Sequence, residues 1–221
     1  MKTPLTILAA IFIILAALFL FSPRQAGAPA QNVYPWDIKT SGGAVSVFGV
    51  TLGSTPLQQL MDKLRDEGET AIFVEPDKPP TVEAFFKSIN LGGFQARIIA
   101  VIDVPKQAIE NWAGNARKMS PQASGARKIK LGGISLEQAK QRPVEAMTYL
   151  PRVAYDETII RQRFGKPESI ASVSDSEQYW FYPGKGLILN LNTDSREVLH
   201  YLQPSDYNRV RQDILSTTSS P

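Results

Sequence analysis

Residues 169–202 read SIASVSDSEQYWFYPGKGLILNLNTDSREVLHYL, and this stretch decides the fold class. Short runs of apolar and aromatic residues predict four extended segments, at Ser169–Ser174, Glu177–Pro183, Gly186–Asn192 and Glu197–Leu202. Helical patterns lie on both sides. Asp156 is placed to cap a short helix that ends near Gly165, and Pro204 begins a final helix.

The first half of the chain repeats this order. Leu57, Leu60, Met61 and Leu64 share one face of a helix that Thr55 is expected to cap. Extended runs follow at residues 70–75, 81–89 and 94–103, and a second helix starts at Pro105. The sequence therefore predicts an α+β fold of two similar helix and antiparallel-sheet (αβββα-like) units, at residues 44–119 and 156–215, with a tandem duplication as one explanation. Residues 120–155 are interpreted as a basic connecting segment, and residues 216–221 as a disordered tail.

Residues 5–22 read LTILAAIFIILAALFLFS and are almost entirely apolar. Eighteen residues make a helix of roughly 27 Å, close to the hydrocarbon thickness of a bilayer. We interpret residues 1–24 as a transmembrane segment or signal anchor, followed by a flexible tether at residues 25–43. The alternative is a cleaved signal peptide, because Ala28-Pro29-Ala30 has the shape of a cleavage site.

The charges beside this segment predict the compartment. Lys2 and the amino terminus favour the cytoplasmic side, which places the rest of the chain outside. We expect a single-pass inner-membrane protein with a periplasmic C-terminal domain; cleavage would instead give a soluble periplasmic protein. The absence of cysteine agrees with an oxidising compartment.

Two short motifs carry a resemblance to known families. Phe164, Gly165, Pro167, Trp180, Tyr182 and Gly186 match the pattern of the small outer-membrane-assembly lipoproteins of the SmpA/OmlA type. The resemblance implies two helices on a three-stranded antiparallel sheet, although the lipid-bearing cysteine of that family is absent. Val47–Gly53 reads VFGVTLG and resembles a pattern in proteobacterial envelope proteins, which implies the compartment alone.

The composition excludes several chemistries. No cysteine and one histidine leave no thiol nucleophile, disulfide scaffold or two-histidine metal site. The sequence contains no nucleophile elbow and no phosphate-binding P-loop. His200 lies among apolar strand residues, which is typical of packing. We therefore expect no enzyme activity and no cofactor, and keep an Asp/Glu-dependent cell-wall hydrolase as a remote alternative.

Two aromatic pairs are candidate partner surfaces. In a strand, Trp180 and Tyr182 point to one face while Tyr179 and Phe181 point to the other. One pair is expected to pack under helices. The other is either covered by the rest of the chain or open to a partner. Phe85 and Phe86 pose the same question in the first half.

The basic residues concentrate in the middle of the chain, where residues 106–152 hold 9 basic and 3 acidic side chains. The densest cluster contains Arg117, Lys118, Arg127, Lys128 and Lys130. It is interpreted either as a solvated surface or as a contact for anionic lipid or an acidic partner. No nucleic-acid-binding motif is present, so no nucleic-acid partner is expected.

Together these patterns predict a membrane-tethered, extracytoplasmic, non-enzymatic interaction or envelope-assembly module. Its partners would be the inner membrane, through residues 5–22, and an envelope protein or anionic lipid. The alternative is a lipid- or small-ligand-binding envelope protein.

Overall fold

The computed structural model describes residues 34–76, 78–114, 120–121 and 127–218 of the 221-residue chain. The segment predicted as an anchor (residues 1–24) lies outside these residues. Of the predicted disordered tail (residues 216–221), residues 219–221 also lie outside them, whereas residues 216–218 belong to the last helix, so the prediction is wrong there. Among the described residues, no helix is both long enough and apolar enough to cross a bilayer.

The described part is an α+β fold, as the sequence predicts. Its strands are β1 (Lys39–Ser41), β2 (Ala44–Val47), β3 (Val50–Thr51), β4 (Glu69–Val74), β5 (Thr81–Leu91), β6 (Phe94–Ile102), β7 (Ser120–Pro121), β8 (Arg127–Lys130), β9 (Val144–Pro151), β10 (Ser169–Ser172), β11 (Glu177–Tyr182), β12 (Leu187–Asn192) and β13 (Val198–Tyr201). Its helices are α1 (Leu57–Leu64), α2 (Lys106–Gly114), α3 (Gly133–Lys140), α4 (Glu157–Phe164) and α5 (Pro204–Thr218), with a 3₁₀ turn at Pro183–Lys185.

Ten of these strands form one antiparallel sheet, in the order β10-β11-β12-β13-β9-β6-β5-β4-β8-β7. The strand β9 lies in its centre and pairs with β6 on one side and with β13 on the other. The two predicted units therefore share one sheet. The interpretation of residues 120–155 as a connecting segment is wrong for β8 and β9, because both strands pair within the sheet. Alternate side chains of β9 are buried there, and so is Ile129 of β8.

One row of paired residues defines what we call the inner face of this sheet. The row runs Phe86, Ile98, Tyr149, Leu199, Leu189, Trp180 across β5, β6, β9, β13, β12 and β11. Each of the six side chains is 0% exposed. Burial of a large apolar side chain contributes about 1.5–3 kcal/mol, so this row is a main source of stability.

Helices and a small sheet cover the inner face. Helix α1 contributes Leu57, Leu60 and Met61, and α4 contributes Ile160 and Phe164 to the same core. Asp156 caps α4, since its carboxylate accepts a hydrogen bond from the Ile159 amide at 2.7 Å, as predicted. The predicted cap on α1 is absent, because the Thr55 hydroxyl accepts from the Thr51 amide instead and α1 begins after Pro56.

The strands β1–β3 form a separate three-stranded sheet, and its second hairpin turns at Phe48–Gly49. Both turn residues have positive φ, of 54° and 71°. This conformation matches the twist of a two-residue hairpin but is unfavourable for phenylalanine. The Phe48 ring is buried and stacks on Tyr149 at 5.4 Å between centroids, which offsets the strain and joins the hairpin to the inner face.

The flexible tether predicted for residues 25–43 is wrong for residues 34–41, because residues 34–38 pack against the fold and Lys39–Ser41 form the exposed strand β1. Tyr34 and Trp36 stack at 5.2 Å, and both rings make edge contacts with Phe94. The Arg163 guanidinium lies 4.8 Å from the centre of the Trp36 ring. The strand β1 then pairs with β2. Residues 25–33 lie outside the described residues.

Candidate functional site

The opposite side of the ten-stranded sheet, which we call the outer face, carries a second row of paired residues. It runs Phe85, Ile99, Thr148, His200, Ile188, Phe181, each one position along the chain from a member of the inner row. Apolar residues of α5 pack on one end of this row: Tyr207, Val210, Ile214 and Leu215 contact the cluster that holds Ile188 and Phe181. These two strand residues are 0% and 1% exposed.

The other end of the row is more open. Phe85, Ile99, Thr148 and His200 are half-buried, and neither Phe85 nor Ile99 belongs to the core cluster under α5. Phe73 and Val101, on neighbouring positions of the same face, are also half-buried. We call the outer-face side chains of β4, β5, β6 and β8 the open patch.

The two faces of the sheet determine which of the predicted aromatic side chains are exposed. Trp180 and Tyr182 are 0% and 4% exposed, with Arg161 over the Trp180 ring at 4.6 Å and the Tyr182 hydroxyl donating to the Gly165 carbonyl at 3.1 Å. Phe86 is also fully buried. Since all three rings face the inner side, the expectation that they form a partner surface is wrong. Of the four predicted residues, Phe85 alone belongs to the open patch.

The predicted basic cluster is divided in the structure. Arg117 and Lys118 lie outside the described residues. Arg127 is exposed at the start of β8, whereas Lys128 and Lys130 lie on the outer face and both pair with Glu69. The distance from Lys130 Nζ to the Glu69 carboxylate is 3.1 Å. Hydrogen bonds from Lys128 and then from Lys130 hold the pKa of Glu69 below its ordinary value.

A shallow hollow of about 340 Å³ lies within the open patch. Phe85, Glu69, Lys87 and Lys128 line it, together with Asp66 and Gly68. The ammonium of Lys128 also lies 5.7 Å from the centre of the Phe73 ring. The open patch therefore combines aromatic surface with positively charged edges.

Three arginines that the sequence analysis did not single out meet at one end of the outer face. Arg97, Arg152 and Arg196 line a groove of about 590 Å³, with Ser195 beside them and with Leu150 and Val198 as apolar lining. Arg97 and Leu150 are paired across β6 and β9, and the Arg196 guanidinium donates to the Arg152 carbonyl. No spacing in the sequence indicates this group, because Arg97 comes from β6, Arg152 from the segment after β9 and Arg196 from the β12–β13 turn.

His200 lies within the outer row, where its Nδ1 is 3.0 Å from the Thr148 hydroxyl oxygen. Burial lowers the pKa of His200 below its ordinary value, so the imidazole is neutral at pH 7. Within the described residues no carboxylate is hydrogen-bonded to the ring, so the pair lacks the third group that orients a catalytic histidine. The described residues also contain no group of three or more His, Asp or Glu side chains suited to a metal ion.

Comparisons with protein-family models, with curated proteins and with solved structures each found no match. The resemblances to outer-membrane-assembly lipoproteins and to proteobacterial envelope proteins therefore stay predictions from the sequence motifs.

Proposed function

We propose that this chain is a membrane-tethered, extracytoplasmic, non-enzymatic interaction module that docks an envelope protein on the open patch. The main support for the proposal is that α5 covers only one end of the outer row of residues. Ile188 and Phe181 are sealed by α5, whereas Phe85 and Ile99 on the same face are half-buried.

Helix α5 shows what kind of segment fits this face. It lays Tyr207, Val210, Ile214 and Leu215 on the sheet. These residues recur at helical spacing, which makes α5 amphipathic. A partner helix with a similar apolar stripe would bury Phe85 and Ile99 in the same manner.

The charges of the open patch favour an acidic partner. On the outer face of β4, β5, β6 and β8, the described residues include four basic and two acidic side chains, namely Lys87, Arg97, Lys128 and Lys130 with Glu69 and Glu83. The proposed occupant is therefore an amphipathic helix whose apolar stripe is flanked by Asp or Glu. Complementary charge of this kind raises the association rate and fixes orientation.

The inner membrane and the periplasm are part of the same proposal. The length and apolar character of residues 5–22 support an uncleaved anchor, and Lys2 supports an outward-facing C-terminal domain. Cell fractionation tests this directly. Recovery of the chain in the inner-membrane fraction, with its C-terminal part accessible to protease from the periplasmic side, is expected; recovery with cytoplasmic enzymes would contradict it.

A tandem duplication remains part of the proposal. The elements α1-β4-β5-β6-α2 and α4-β10-β11-β12-β13-α5 each add strands in the direction of β9, from β4 to β6 on one side and from β10 to β13 on the other. This shared order supports descent from one αβββα-like unit.

Photo-crosslinking in intact cells tests the docking patch. A photoreactive amino acid at Phe85 is expected to give one dominant adduct that mass spectrometry identifies as an envelope protein. The same amino acid at exposed Gln162 on α4 is the matched control and is expected to give none of this adduct. Equal labelling at both positions, or none at Phe85, would count against the patch. Lipid or small-ligand binding is the alternative function, and a lipid adduct at Phe85 would favour it.

A further inference from the structure

We propose that the groove between Arg97, Arg152 and Arg196 is a binding site for a phosphate-bearing ligand. The groove shares Arg97 with the open patch, but Arg152, Ser195 and Arg196 lie beyond the patch, and the site does not depend on a protein partner. Its ligand is the phosphate group itself, carried either by a phospholipid head or by a free phosphate.

The first support for this site is that its three arginines have no carboxylate partner among the described residues. The three guanidinium groups line one groove of about 590 Å³, and no ion pair joins any of them to a carboxylate among the described residues. Lys128, Lys130 and Lys140, by contrast, each contact a glutamate. Like charges gathered without counter-charge repel, and a bound anion would offset that repulsion.

The second support is that hydrogen bonds and strand pairing fix the backbone segments that carry the three arginines. The Arg152 amide donates to the Gln95 carbonyl at 2.9 Å, which fixes the end of β9 beside β6. The Arg196 guanidinium in turn donates to the Arg152 carbonyl, so the β12–β13 turn is held to the same place. Arg97 projects from β6 next to Leu150. Three separate segments thus present their arginines to one space from fixed backbone positions.

The chemistry of the lining favours phosphate. A guanidinium presents paired N–H donors that match two phosphate oxygens, and the Ser195 hydroxyl adds a further donor. Leu150 and Val198 give the groove an apolar side that suits the glycerol or acyl portion of a lipid. A free phosphate would use the arginines and Ser195 and would leave the apolar side of the groove unoccupied.

Titration calorimetry on the full chain in a nonionic detergent tests the site. The probes are inorganic phosphate, dihexanoyl phosphatidylglycerol and dihexanoyl phosphatidylcholine. We expect binding of phosphate, of phosphatidylglycerol or of both, and Arg97→Gln is expected to weaken it at least about tenfold, the loss of one charge-assisted contact. Arg97→Lys keeps the charge but not the paired donors and is expected to be intermediate.

The matched control is Arg127→Gln, which makes the same charge change at exposed β8, away from the groove. It is expected to leave binding unchanged. Arg196→Gln removes a structural hydrogen bond, so Arg152→Gln, which leaves the carbonyl in place, serves as the second groove variant. Phosphate binding without lipid binding assigns a free phosphate, and lipid binding without phosphate binding assigns a headgroup. If neither anionic probe binds, or if Arg97→Gln and Arg127→Gln weaken binding equally, the site is overturned.

Discussion

Tyr201 in β13 donates its hydroxyl to the carbonyl oxygen of Pro35 at 2.8 Å, across 166 residues of chain. The tyrosine side chain is 0% exposed, and burial raises its pKa well above the ordinary value. Water is therefore excluded from the bond. Through it, the last strand of the sheet holds the segment that precedes β1.

Replacement of Tyr201 by phenylalanine is expected to lower the free energy of unfolding by about 1–2 kcal/mol, because the buried Pro35 carbonyl loses its donor. Chemical denaturation followed by tryptophan fluorescence measures the change. Tyr179→Phe is the control, since the Tyr179 side chain is only half-buried and its hydroxyl has no hydrogen-bond partner in the described part of the chain. Equal stability of the two variants would show that the bond to Pro35 contributes nothing.

Phe85 and Phe86 are neighbours on opposite faces of β5, which makes them a matched pair. Phe86→Ala removes a fully buried ring and is expected to cost about 3–5 kcal/mol of unfolding free energy. Phe85→Ala removes a half-buried ring of the open patch and is expected to cost about 1 kcal/mol while abolishing the crosslinked adduct of a nearby photoreactive position. A Phe85→Ala variant as unstable as Phe86→Ala would make Phe85 a core residue and remove it from the docking surface.

Because two lysines bind Glu69, the free energy of unfolding is expected to decrease at acid pH. Since its folded pKa lies below 4.5, the ionised carboxylate contributes stability at neutral pH, and this contribution is lost as the pH falls through the folded value. The pair is partly exposed, so Glu69→Gln is expected to cost at most about 1 kcal/mol at pH 7. The variant and the wild type should differ at pH 7, and the difference should shrink as the pH falls below 4.5. A constant difference across that range would assign the effect to packing.

Glu145 is expected to show the opposite dependence. Burial, followed by the nearby carboxylates of Asp206 and Asp103, raises its pKa above 4.5. The folded chain then binds this proton more tightly than the unfolded chain, so ionisation lowers stability as the pH rises from the ordinary value through the folded value. Glu145→Gln is therefore expected to be more stable than wild type at pH 7 and not at pH 4. Thermal unfolding at the two pH values measures this, with exposed Glu110→Gln as the control.

Local patterns predicted the elements well, because their causes are local. The Asp156 cap, the Pro204 start and the aromatic run in residues 179–182 depend on neighbours within a few positions. Strand pairing does not. The position of β9 between β6 and β13 depends on partners about 50 residues away in each direction.

The site was harder to predict for the same reason. The sequence pointed to Trp180 and Tyr182 as large aromatic side chains, yet a strand covered on both faces buries such residues completely. It pointed to Lys128 and Lys130 as part of a solvated or anion-binding cluster, although both pair with Glu69 on the neighbouring strand β4. Arg97, Arg152 and Arg196 are unremarkable in the sequence and meet only because β6, β9 and β13 are neighbours.

Because β9 lies in the centre of the sheet, the sheet cannot be completed until late in biosynthesis. When residues 34–143 have emerged, the backbone edge of β6 has no neighbour on its β9 side, and β9 itself stays half-paired until residues 198–201 follow. Such edges can pair with other chains. Nascent or truncated forms that end between Pro151 and Val198 are thus the forms most prone to misassembly. The finished protein cannot be cut at that point into two parts with separate, fully paired sheets.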